Sequence, residues 1–134
     1  MILSQKESRY NAIDPAIYFH EKDQRMWMTY GSFWDGIFLI ELDPYTGLRK
    51  NTKTAPIRLA DADQIEAPFL CFHHNAFYLF VNTGLCCRGV ESTYEIRVGR
   101  STAIEGPYLD ADGKDMRDGG GSLVLGSSGK FIGP

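Results

Sequence analysis

Two carboxylates stand in similar company in this chain. Asp14 sits in Ile13-Asp14-Pro15, ahead of the apolar run 16–19. Glu66 sits in Glu66-Ala67-Pro68, ahead of the apolar run 69–72. A carboxylic acid and a carboxylate placed about a glycosidic bond can cleave it by general acid/base catalysis. An Asp-Pro pair is equally an ordinary turn. The recurrence of an acid, a proline and an apolar strand is what lifts the pair above that reading.

Two further stretches could serve a sugar. Ser32-Phe33-Trp34-Asp35-Gly36 places a Trp in a glycine-bearing turn. Its ring either offers an apolar platform to a sugar or packs on a neighbouring strand. Gly84-Leu85-Cys86-Cys87-Arg88-Gly89 holds a guanidinium between two glycines. Arg88 can bind a sugar hydroxyl or pair with a carboxylate; a tight loop with buried thiols is the plainer alternative.

Other clusters carry less. Cys86 and Cys87 are adjacent and cannot both easily reach one ion, and no His is spaced to join them. With Cys71 they make three cysteines, an odd number without a CxxC pair, so no disulfide framework is expected. No convincing base accompanies them for nucleophilic work. His20 and the pair His73-His74 read as solvated turn residues. Residues 110–115 are acidic, but the glycine comes too early for an EF-hand and no Glu closes the loop. The glycine clusters at 119–121 and 126–129 precede no helix carrying Lys-Ser/Thr, so they are not phosphate loops. No metal ligands are assigned.

The elements that must position these residues read as strands. Residues 16–19, 26–32 and 37–42 are apolar or aromatic-rich runs, with a weaker strand at 56–60. Asp43-Pro44-Tyr45-Thr46-Gly47 is a turn by composition. Fourteen Gly and six Pro punctuate the chain, and no window sustains a 3.6-residue period. The pattern of acid, Pro, apolar run, turn, aromatic strand and Gly occurs twice, with Pro15 and Pro68 53 residues apart. A third copy starts at 130–134. Such a repeat fits propeller blades of about four strands each, or two hairpins of one sandwich.

Composition limits the partners. At 134 residues and 43% hydrophobic the chain is globular. A net charge of −3 without a basic stripe argues against nucleic acid and anionic membranes. No apolar stretch approaches the roughly 18 residues of a membrane span. The first nine residues lack the apolar core of a signal peptide; the compartment stays open between secreted and cytoplasmic.

Several motifs together resemble the arabinanases of glycoside hydrolase family 43. They are Tyr10-Asn11-Ala12-Ile13-Asp14-Pro15, Thr29-Tyr30-Gly31-Ser32-Phe33-Trp34, Ile65-Glu66-Ala67-Pro68 and the stretch 84–94 ending Ser92-Thr93-Tyr94. Gly99-Arg100-Ser101, Gly106-Pro107-Tyr108 and Gly119-Gly120-Gly121-Ser122 add to them, in the family's order. The resemblance implies a five-bladed, all-β propeller that hydrolyses α-1,5-linked L-arabinan or its oligosaccharides, usually from within the chain and with inversion. It makes Glu66 the general acid and Asp14 the carboxylate that orients and tunes it. Asn11, Ala12, Ile13 and Asp14, with Ser32, Phe33 and Trp34, match substrate-contacting stretches, and Arg88 joins them as a candidate.

The match departs from the family in two places. The family's general base, an Asp, lies well upstream of the Asn-Ala-Ile-Asp-Pro motif, where this chain offers only Glu7. A His that helps hold a metal ion, calcium, in the family's central channel follows the final Gly-Pro, where this chain stops. Residues 1–134 are therefore expected to be a partial propeller domain of about two blades and the start of a third, poorly active alone and without a cofactor of its own. Exposed blade edges make self-association an expectation. The alternative is a carbohydrate-binding fragment that keeps sugar contacts without catalysis; a purely structural blade module is the third reading.

Overall fold

Short apolar runs separated by Pro, Gly and Asp turns become eight strands. A computed structural model describes residues 2–5 and 7–127. Strands β1 (Ala16–His20), β2 (Arg25–Tyr30), β3 (Ile37–Leu42) and β4 (Ile57–Ala60) form one antiparallel meander. Strands β5 (Glu66–His73), β6 (Ala76–Thr83), β7 (Glu95–Ser101) and β8 (Ser122–Leu125) form a second. Two short 3₁₀ turns, Gly89–Glu91 and Met116–Asp118, are the only helical segments among the described residues. The repeat is thus two consecutive four-stranded blades, as expected. The anticipated third copy at 130–134 lies outside the described residues.

The sequence of β3 shows how the blades stack. Its run Ile37-Phe38-Leu39-Ile40 is apolar on both faces, and both faces are covered. Ile37 and Leu39 join Trp27 and Leu59 against Leu70, Leu79 and Val81 of the second sheet. Phe38, Ile40 and Leu42 point the other way and gather with Tyr30. The second sheet is less covered on its other face, where Phe69, paired with Phe80, is 58% exposed. Glu41, between these apolar positions, is the solvent-side partner of a fork from Arg25 (2.9 and 3.0 Å) and of Lys50 (2.6 Å).

The turns follow their side chains. Asp43 Oδ1 accepts from the backbone N–H groups of Tyr45 and Thr46 at 3.0 and 2.8 Å, an Asx turn that returns the chain after β3. The acidic loop after β7 is similar: Asp110 Oδ1 accepts from the amides of Asp112 and Lys114 and Oδ2 from Gly121, so its oxygens serve the backbone. His73 and His74 lie at the exposed β5–β6 turn as expected. His20 does not fit its expectation. Its ring lies against Phe72 and Phe77 of the second sheet and its side chain is only 15% exposed. The alternation of β1 directs position 20 inward with Tyr18, and a turn assignment hid this.

Candidate active site

Glu66 opens β5 and is half-buried at the seam between the two sheets. Its two oxygens have different partners. The Tyr94 hydroxyl donates to Oε1 at 2.7 Å, and the Ser32 hydroxyl donates to Oε2 at 3.2 Å. Ser32 belongs to the first blade and Tyr94 to the second, so the carboxyl is held from both. Ser32 itself is 3% exposed.

Local backbone chemistry explains this placement. After β2 the chain turns through Gly31 at φ 133°, where an added Cβ would collide with the Gly36 carbonyl. Only glycine fits there. The Gly31 amide donates to Ile13 O (3.0 Å) and the Phe33 amide to Ile65 O (2.7 Å), which pins the Ser32 loop beside both carboxylate motifs. Tyr94 is delivered by the loop 84–94. Gly84, at φ 87°, lets the chain pass the Thr93 carbonyl, and Leu85 and Thr93 bond to each other through backbone and hydroxyl.

Asp14 lies two residues before β1 at φ 53°, a left-handed conformation uncommon for a residue with a side chain. Its Oδ2 accepts the backbone N–H of Ala67 at 3.2 Å, 53 residues later. Ala67 is also left-handed, at φ 49°. The counterpart of Asp14 in the second blade is therefore Ala67, and Glu66 matches Ile13. The apparent equivalence of the two acids is off by one residue, and a bulge between Glu66 and Phe69 accompanies the shift. The carboxylates still converge at the starts of the two first strands.

Electrostatics agree with that convergence. Burial pushes the Tyr94 phenol well above its ordinary range, and the bond to Glu66 and the charges of Glu66, Cys86 and Asp14 add to it. Tyr94 thus keeps its proton and acts as a donor at neutral pH. The Cys86 thiol is raised by its bond to Cys87 first, then by partial desolvation and nearby charge including Glu66.

The other expected residues are placed as follows. Asn11 is half-buried and its Oδ1 accepts from Ser4 Oγ at 3.0 Å, while the Ala12 amide donates to the same Ser4 hydroxyl. Ile13 is exposed. Phe33 and Trp34 are both left-handed and exposed, and Trp34 lines an open groove with Asp63, Gln64 and Arg117. Arg88 is exposed on its loop and makes no ion pair among the described residues. Asp35 pairs with Arg9 at 2.6 Å. Hydrogen bonds therefore tie Ser32 to Glu66 and Asp14 to the residue after it, and none among the described residues joins the Trp34 or Arg88 side chain to them. Sequence reading missed Tyr94. Its signal was the Ser92-Thr93-Tyr94 run, which carried the resemblance but no role.

No three His, Cys, Asp or Glu side chains come together among the described residues.

Two sequential four-stranded antiparallel blades with a carboxylate pair at their seam are the architecture of part of a β-propeller. Residues 1–121 match the family described as Glycosyl hydrolases family 43, and the chain belongs to that family. It is 41% identical, over its whole length, to 42% of the extracellular endo-alpha-(1->5)-L-arabinanase 1 of Bacillus subtilis. It is 40% identical, over 92% of its length, to 39% of the extracellular exo-alpha-(1->5)-L-arabinofuranosidase ArbA of Cellvibrio japonicus. Among solved structures, the GH43 endo-arabinanase of Bacillus licheniformis superposes with TM-score 0.91 at 39% identity, covering 99% of this chain and 46% of that one. The Cellvibrio cellulosa α-L-arabinanase complexed with arabinohexaose gives TM-score 0.88 at 35% identity, with the same coverage. The chain spans less than half the length of these relatives.

Proposed function

We propose that this chain carries the acid side of an inverting glycoside hydrolase site for α-1,5-linked L-arabinan. One observation carries the reading. The Glu66 carboxyl is clamped across the blade seam by Tyr94 and Ser32, beside an Asp14 that is bonded to the next residue's amide. The arabinanase and arabinohexaose relatives supply the substrate class.

In this mechanism Glu66 is protonated when the glycan binds. It gives its proton to the glycosidic oxygen as the bond from that oxygen to the anomeric carbon breaks. A general base takes a proton from water as the water oxygen bonds to the opposite face of that carbon. Such a pair stands roughly 6.5–9.5 Å apart to admit the water. Asp14 keeps a negative charge near the acid, and a nearby anion disfavours loss of the acid's proton. The base is assigned to a further part of the propeller, because Glu7 is exposed and Asp35 is engaged by Arg9.

The test is a graft. These residues replace the matching segment of the Bacillus subtilis relative, which provides the remaining blades. Release of arabino-oligosaccharides by the graft, and its loss in Glu66→Gln, supports the reading. A graft that binds arabinan but never cleaves it supports the carbohydrate-binding alternative instead.

A further inference from the structure

A general acid has two oxygens, and only one delivers the proton. The partners of Glu66 are chemically unequal in a way that decides which. Tyr94 is a phenol held at 2.7 Å from Oε1, and its O–H makes no other hydrogen bond among the described residues. Ser32 is an aliphatic hydroxyl at 3.2 Å from Oε2, nearly fully buried. A serine hydroxyl turns freely between donating and accepting.

We propose that Tyr94 is a positioning residue that reserves Oε1 of Glu66 as an acceptor and so places the transferable proton on Oε2. The proposal rests on Glu66 being the acid. Were the proton on Oε1, the phenol oxygen would have to accept it, and the Tyr94 O–H would give up the one hydrogen bond it donates among the described residues. An unmade bond of that kind in a half-buried site is costly. A proton on Oε2 costs nothing comparable, because the Ser32 hydroxyl rotates and accepts or yields to substrate. Tyr94 therefore donates throughout the cycle while Ser32 switches with the proton. The raised phenol agrees, since a tyrosine held neutral remains a donor.

The backbone fixes the arrangement from both sides. The loop that brings Tyr94 is closed on itself by the Leu85 and Thr93 bonds and requires glycine at position 84. The loop that brings Ser32 is pinned to Ile13 and Ile65. The titratable groups whose charge reaches Tyr94 are Glu66, Cys86 and Asp14, so the pH behaviour of the clamp is shared among these.

The test is carbon-13 NMR on the 134-residue chain itself, with labels at Glu Cδ and Tyr Cζ. The Tyr94 Cζ signal should follow the Glu66 Cδ titration with the same midpoint and lose that step in Glu66→Gln. Tyr94 donates in both states, but its bond is stronger to the ionised carboxyl than to the neutral one, so Tyr94→Phe should raise the Glu66 midpoint by about one pH unit. Ser32→Ala should move it by less than half as much, because serine serves both protonation states. A Tyr94 Cζ signal that is flat through the Glu66 titration overturns the proposal without needing a Tyr94 variant. So does a larger shift from Ser32→Ala than from Tyr94→Phe. These outcomes do not depend on arabinan cleavage, so they fail separately from the assignment of Glu66 as acid. In the graft, Tyr94→Phe should lower kcat on arabinan with KM little changed and move the basic limb of the pH–rate profile. A fall in kcat with an unmoved limb marks a merely structural tyrosine and contradicts the proposal.

Discussion

The backbone N–H of Ala67 donates to Asp14 Oδ2 across 3.2 Å and ties the start of the second blade to the start of the first. Because Ala67 follows Glu66 directly, this bond joins the two carboxylate motifs, alongside the Gly31–Ile13 and Phe33–Ile65 bonds. Asp14 has a structural duty through its oxygen and, in the proposed mechanism, an electrostatic one through its charge. The two duties separate by substitution.

Asp14→Asn keeps an acceptor oxygen for Ala67 and removes the charge. In the graft, the rate on arabinan should fall about tenfold or more, equivalent to about 1.4 kcal/mol of lost transition-state stabilisation. Thermal stability should change little. Asp14→Ala loses the bond as well, and its melting temperature should drop alongside a further loss of rate. Equal stability and equal rate for the two variants would show that the Ala67 bond contributes nothing.

Gly84→Ala should act at a distance. A Cβ at φ 87° collides with the Thr93 carbonyl, so the loop must open where it carries Tyr94. Forcing a side chain into such backbone costs about 1–3 kcal/mol. Chemical denaturation should show a loss of that size, and the Tyr94 Cζ signal should lose its response to Glu66. By contrast, Gly47→Ala meets no neighbouring atoms, so its cost comes only from φ 68° and should leave Tyr94 unaffected.

Acid should reveal the Glu41 fork. Hydrogen bonds from Arg25, followed by Lys50, hold the Glu41 carboxyl down at about 2. A depressed carboxylate stabilises the fold above its unfolded value near 4.5 and loses that contribution as pH falls toward about 2. The stability gap between the parent and Glu41→Gln should be full at pH 6, shrink below pH 4.5, and close near pH 2. A gap independent of pH would mean the substitution acts through packing rather than charge.

The strands were legible because their chemistry is local. Residues 37–42 are apolar except for Glu41, between Gly36 and the Asp43 turn, and β3 is Ile37–Leu42. Pro15 and Pro68 marked the repeat. β7 was not read as a strand: Glu95-Ile96-Arg97-Val98 alternates charge with apolar bulk, and Gly99 interrupts it. Gly99 is there because Met116 and Tyr108 pack on it, a contact no local pattern announces. Asp14 and Glu66 were found from residue type and company. Their one-residue offset was not, since it depends on left-handed backbone at Asp14 and Ala67. The seam partners were harder still. Ser32 and Glu66 are 34 residues apart, and Tyr94 and Glu66 are 28 apart, so their meeting is set by how two blades pack.

Glu66 as proton donor is the central claim, and leaving-group dependence tests it most directly. The grafted enzyme and its Glu66→Gln variant are assayed on linear α-1,5-arabinan and on an aryl arabinoside with an acidic phenol as leaving group. Arabinan needs its glycosidic oxygen protonated, and loss of a positioned acid removes about 10²–10⁴-fold of rate. The activated aryl substrate needs little protonation and should lose at least tenfold less. A Glu66→Gln variant slowed equally on both substrates would contradict the assignment of Glu66 as the acid.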